Sequence, residues 1–172
     1  MQLIILNGPC GVGKSTVARI LHEQMPLSFL LDVDAQMHFI SHYRDFREER
    51  WALTKAVGQA IVRACFREGR DVILDKMIYD PGTLDSYRAV ADELGADVRE
   101  FILTASKETV LARAHNRGFR DESLLTPEKC ERFWQEIERL KPLRPEAVVI
   151  ETDDLTLDEA ASRVRAHLSR PL

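Results

Sequence analysis

Short apolar runs alternate along this chain with longer stretches in which apolar residues recur every three or four positions. The runs are Leu3–Leu6, Phe29–Leu31, Val72–Leu74 and Ala147–Ile150, each of a length that suits a buried strand, and a further strand is expected at about Val98–Leu103. Between them, Val17, Ile20 and Leu21 carry helical spacing, and Pro26 ends that helix near Met25 by forcing the preceding residue out of helical geometry. Trp51–Phe66 places Leu53, Val57, Ile61 and Cys65 on one stripe and predicts a long helix closed by Gly69. Asp80-Pro81 reads as an N-cap with proline at the first helical position, and Gly95 as the stop. Ser106 caps a helix carrying Val110, Leu111 and Ala114. Thr126-Pro127 opens another, whose expected buried stripe is Cys130, Phe133, Ile137 and Leu140. Thr156 and Glu159 form a capping box for the last helix, with Leu155 and Ala160 as its hydrophobic staple.

Strands alternating with helices predict the α/β class: a small three-layer domain whose parallel sheet is covered on both faces. Right-handed crossovers put the ligand crevice beyond the strands' carboxyl ends. The loop after Leu6, Asp34, Asp75 and Thr104 all follow strands and are expected to converge there.

Composition narrows this little. A chain of 172 residues, 45% hydrophobic and 30% charged, fits a single domain over 1–172. The net charge of -4 offers no basic field, so long nucleic acid is not an expected partner. Cys10, Cys65 and Cys130 are far apart and lack metal-site spacing, which suits reduced thiols and a cytoplasmic location. The first apolar run is too short for a signal peptide's core, and no stretch is long and apolar enough to span a membrane. A monomer or a homodimer is expected.

The chemistry centres on Gly8–Ser15, G-P-C-G-V-G-K-S, between a strand and a helix. This is the phosphate-loop pattern in the context that gives it meaning. Gly8, Gly11 and Gly13 allow a tight loop whose N–H groups, with those of Val12 and the helix start at Ser15 and Thr16, form an anion nest. Lys14 supplies a mobile ammonium to the β- and γ-phosphates, and the Ser15 hydroxyl is a ligand for Mg²⁺. ATP with Mg²⁺ is the expected ligand.

Phosphoryl transfer also needs an orienting base and cations for developing charge. Asp32 and Asp34 lie two apart at a strand end and face one side if extended geometry persists. One can hold Mg²⁺ through water while the other takes an acceptor's proton; solvated turn carboxylates are the competing reading. Asp75, ending its strand, is the candidate for the carboxylate near Mg²⁺ or its waters, and it also borders the acceptor. Lys76 beside it has no role in this reading. Arg113, Arg117 and Arg120 supply cations, with a small lid around 117–126 closing on the nucleotide and Arg117 as its catalytic contact. Arg44, Arg47 and Arg50, interleaved with aromatics in an acceptor-side region around 35–50, suit a carboxylate or phosphate on the substrate.

The phosphate loop, Asp-x-Asp after the second strand, Asp75 and the arginine-bearing segment together resemble the small P-loop kinases of the nucleoside-monophosphate-kinase-like group, such as gluconate kinase, shikimate kinase and chloramphenicol phosphotransferase. The resemblance implies a three-layer α/β/α P-loop NTPase fold with a five-stranded parallel sheet in the order 2-3-1-4-5. It implies adenine held near Arg113 and the Thr152-Asp153 loop, and a base at Asp34 by analogy with the phosphotransferase. The histidine of gluconate kinases matches His38. The glycine-rich substrate segment of shikimate kinases is absent from this sequence.

The resulting expectation is an ATP-dependent kinase that phosphorylates a hydroxyl of a small molecule such as a sugar acid or an antibiotic. A nucleotide or polynucleotide 5′-hydroxyl kinase, or a P-loop ATPase that is not a kinase, is the alternative. A regulatory GTPase is disfavoured because the chain has no N-K-x-D tetrapeptide.

Overall fold

Gln2–Asn7 has every residue buried and becomes the central strand, β1. In a computed structural model, which describes residues 1–116 and 125–168, β1 lies between β3 (Val72–Asp75) and β4 (Asp97–Thr104). Strands β2 (Phe29–Asp32) and β5 (Val148–Glu151) are the edges of a five-stranded parallel sheet in the order β2-β3-β1-β4-β5.

The pleat of β1 divides the core in two, since alternate side chains point to opposite faces. Leu3 and Ile5 pack with helices α3 (Arg47–Arg67) and α4 (Pro81–Glu93), among Val62, Phe66, Leu84 and Tyr87. Ile4 and Leu6 pack on the other face with α1 (Lys14–Gln24), α5 (Lys107–Asn116) and α7 (Leu157–Arg165), among Val17, Leu21, Val110 and Val164. A continuous apolar run is therefore what a central strand covered on both sides requires. Helix α6 (Pro127–Leu140) and a short 3₁₀ turn, Lys141–Leu143, lead into β5.

The predicted punctuation holds. Asp80, Thr126 and Thr156 accept from backbone N–H groups three residues on, and Thr156 with Glu159 completes a capping box. The Cys130 helix buries Cys130, Ile137 and Leu140 as expected, with Phe133 only half-buried.

Two local expectations are corrected. The long helix begins at Arg47 and buries Thr54, Gly58, Val62 and Phe66, not the stripe Leu53, Val57, Ile61 and Cys65. Close approach to α4 decides the rotation: a Cβ on Gly58 would stand 2.4 Å from the hydroxyl of fully buried Tyr87. Thr54 tolerates the interface because its hydroxyl donates to the Arg50 carbonyl at 2.7 Å. Second, extended geometry does not persist past Asp32. A short helix α2 (Val33–Met37) starts there, and the Asp32 carboxylate caps it by accepting from Ala35 N–H at 2.9 Å. Asp34 consequently sits in the first turn of α2, and strand alternation does not relate it to Asp32.

Candidate active site

The loop between β1 and α1 is held from behind before any ligand is considered. Asn7, fully buried, accepts from the Gly8 and Ile78 N–H groups at 2.8 and 2.9 Å and donates to the Ile78 carbonyl at 2.7 Å. Its amide ties the phosphate loop to the segment after β3. Gly8 has φ 140°, and a Cβ there would fall 2.1 Å from the Leu103 carbonyl oxygen. Gly11, at φ 83°, would meet the Val110 carbonyl at 2.9 Å. These glycines are required by packing against β4 and α5, as well as by the loop's own conformation. Val12 buries its side chain in the core, so only its backbone is available to a ligand. Gly13, in left-handed geometry, starts α1, and its carbonyl accepts from Thr16 N–H at 3.0 Å.

Lys14 reaches back across the loop and donates to the Pro9 carbonyl at 2.8 Å. Burial lowers its pKa below the usual lysine value, with the negative charge of Asp75 opposing that effect. Asp75, the last residue of β3, is 6% exposed and hydrogen-bonded to the Ser15 hydroxyl. Burial raises its pKa; the Ser15 hydrogen bond and Lys14 pull it back down. The half-buried ammonium and the buried carboxylate thus support one another at the mouth of the loop. Asp32 stands in register with Asp75 on the neighbouring strand, as Leu6 does on the other side.

Lys76 takes a definite place. Its backbone N–H donates to the Leu6 carbonyl, and its ammonium, on a side chain 10% exposed, is paired with Asp34. The ammonium also lies 4.3 Å from the centre of the Trp51 ring, whose guanidinium neighbour Arg50 is 5.2 Å from that centre. Arg50 further donates to the Tyr43 carbonyl at 2.9 Å and lies over the Tyr43 ring. Arg44 stacks on the same ring and donates to its hydroxyl at 3.2 Å; His38 meets its edge. Arg47, the first residue of α3, is exposed. The structure therefore gathers Lys14, Ser15, Asp32, Asp34, Asp75 and Lys76 at the carboxyl edge, with Arg44 and Arg50 arranged around aromatic rings beside them.

Across the loop, Arg113 donates to the Thr152 hydroxyl at 3.1 Å and to the Thr152 carbonyl at 2.8 Å. Asp153 accepts from the Ser106 and Thr109 hydroxyls, each at 2.7 Å, which holds its carboxyl below the ordinary range. Arg113 and the Thr152-Asp153 loop are brought together, and the Asp153 carboxylate is committed to the start of α5. Thr104 ends β4 and accepts both Thr152 N–H and hydroxyl on its carbonyl, at 2.8 and 3.0 Å. Cys10 of the loop neighbours Cys130 of α6, whose thiol is pushed up to about 12 by burial and by that neighbour. Arg117 and Arg120, and the lid segment before residue 125, lie outside the described residues.

Sequence reasoning missed Asn7, the Asp34–Lys76 pair and the Trp51 ring. A polar residue closing an apolar strand just before a glycine loop was the available signal for Asn7. The adjacency of Lys76 to Asp75 was the signal for the pair.

Among the described residues no helix is long and apolar enough to cross a membrane. The family model of the AAA domain AAA_33 matches residues 3–140. The chain is similar to a cytidylate kinase from Mycoplasmoides gallisepticum, 22% identical over 95% of this chain and 91% of that protein. Among solved structures it resembles the tunicamycin resistance protein of Deinococcus radiodurans, with TM-score 0.69 and 21% identity over 99% of this chain and 96% of that one. It also resembles a gluconokinase from Sinorhizobium meliloti 1021, with TM-score 0.66 and 17% identity over 96% and 90% of the two chains. The family match takes in the phosphate loop, Asp34 and Asp75 together with every strand but the last, and on it the chain belongs to the AAA_33 family of P-loop small kinases.

Proposed function

We propose that this kinase transfers the γ-phosphate of Mg-ATP to a hydroxyl of a small molecule, with Asp34 as the base. The observation that carries the reading is the relation of Asp34 to the loop. Its side chain is 57% exposed, as an acceptor would require, while the buried Lys76 holds it beside Asp75 at the mouth of the phosphate loop. In the step, the acceptor oxygen attacks the γ-phosphorus, the bond to the β-phosphate oxygen breaks and ADP leaves. The acceptor's proton passes to the Asp34 carboxylate. Lys14 lies along the phosphates and offsets charge developing there. Arg117, from the lid around 117–126, adds a guanidinium in the same role. Arg44, Arg47 and Arg50 favour an acceptor that carries a carboxylate or phosphate beside its hydroxyl. Arg113 with Thr152 and Asp153 borders the adenine of the nucleotide.

The donors fit Mg²⁺. Ser15 hydroxyl and Asp75 carboxylate are hard oxygen ligands already joined by a hydrogen bond, with Asp32 in register behind them. No group of three or more His, Cys, Asp or Glu among the described residues could hold a metal. That suits an ion taking its other ligands from phosphate and water. Bound there, it supplies neutralisation of the β- and γ-phosphate oxygens. Asp75→Asn is expected to raise the Mg²⁺ concentration for half-maximal turnover about 10–100-fold, measured by Mg²⁺ titration of ATP turnover. An unchanged titration removes Asp75 from the metal side.

The test of the reading is ADP release over a panel of hydroxy acids, sugars, aminoglycoside- and phenicol-type antibiotics, nucleosides and cytidine monophosphate. At least one hydroxyl compound is expected to raise release above basal hydrolysis. Stimulation by the nucleotide alone would favour the nucleotide-kinase alternative.

A further inference from the structure

Helix α3 covers the sheet with one face and leaves on the other an apolar stripe that nothing among the described residues covers. Phe46, Leu53 and Val57 are 57%, 49% and 41% exposed, and Ala56, Ala60 and Ala64 are exposed between and beyond them. The spacing of three and four residues from Leu53 to Ala64 keeps those residues on one side of the helix, opposite the buried Thr54, Gly58, Val62 and Phe66, and Phe46 stands at the helix start. A solvated helix face ordinarily carries charges. Here the stripe carries none from Leu53 to Ala64.

Along one edge of the stripe the two ends carry opposite charge. Glu49 lies in the first turn and Arg67 in the last, both exposed and both on the same edge of the stripe. We infer that α3 is the interface of a homodimer, in which the stripe packs antiparallel against the same stripe of a second copy. A two-fold axis near residue 58 sets Glu49 of each copy level with Arg67 of the other, twice by symmetry. The helix dipoles then also run in opposition. The self-complementary order of acid, apolar stripe and base selects a second copy of this chain as the occupant, and the alanines permit close approach of the two backbones. The interface would brace the end of α3 that carries Arg50 and Trp51, next to the acceptor side.

Sedimentation equilibrium of the full chain tests this across the micromolar range. The wild type is expected to dimerise, and Val57→Glu to remain monomeric with an unchanged circular dichroism spectrum. Glu49→Arg and Arg67→Glu, both at exposed positions, should each weaken association about tenfold or more. The double swap should return it to within about threefold of wild type. A wild type that stays monomeric throughout overturns the inference, as do single reversals without effect or a double swap that fails to restore association.

Discussion

Lys14→Ala is expected to fold normally and to lose turnover by roughly 10²–10³-fold. The side chain belongs to no core cluster, and among the described residues it donates to the Pro9 carbonyl within the loop. Its ammonium is held at a cost, since burial lowers the pKa while Asp75 partly compensates. Deleting it therefore removes a charge aimed at phosphate without removing packing. Urea unfolding beside steady-state ATP turnover separates the two effects. A variant with wild-type turnover would mean that the loop does not hold the reacting phosphates.

Asp34→Asn should leave Mg-ATP affinity nearly intact and reduce transfer to the acceptor by roughly 10²–10⁴, the span of a lost general base. An amide oxygen can still accept from Lys76, so the pairing that orients residue 34 is preserved while its basicity is abolished. Asp32→Asn is the matched control. Asparagine caps a helix as well as aspartate does, so α2 should survive, and any change should appear in Mg²⁺ dependence. Calorimetric ATP affinity measured beside product formation distinguishes the two positions. Unchanged transfer in Asp34→Asn moves the base to Asp32 or Asp75.

The phosphate loop, the strand ends and the helix caps were legible in the sequence because each is a local pattern. Leu3–Leu6 followed by Gly8–Ser15 gives strand, loop and helix within a few residues. Asp80-Pro81 and Thr156 with Glu159 specify helix starts through bonds spanning three residues. The rotation of α3 was not legible. Leu53 and Val57 make the more apolar face, yet Gly58 faces α4 because the tip of Tyr87, 29 residues later, leaves no room for a side chain. Periodicity identified the more apolar face and did not say which face the sheet and α4 cover. The site shows the same division. Asp34 and Asp75 were found one by one at strand ends, whereas the Lys76–Asp34 pair spans 42 residues and appears only once β2 and β3 lie side by side. Glu100, buried in β4 and held by Arg144 at 2.7 Å, likewise has no local sign of its partner.

The most direct measurement is phosphorus NMR of the product formed from ATP and the acceptor found in the panel. A phosphate monoester, coupled to the protons of the carbon bearing the former hydroxyl and formed one for one with ADP, is the predicted result. Asp34→Asn should form it far more slowly. Free phosphate alone with every acceptor, or a new diphosphate linkage, would contradict transfer to a hydroxyl.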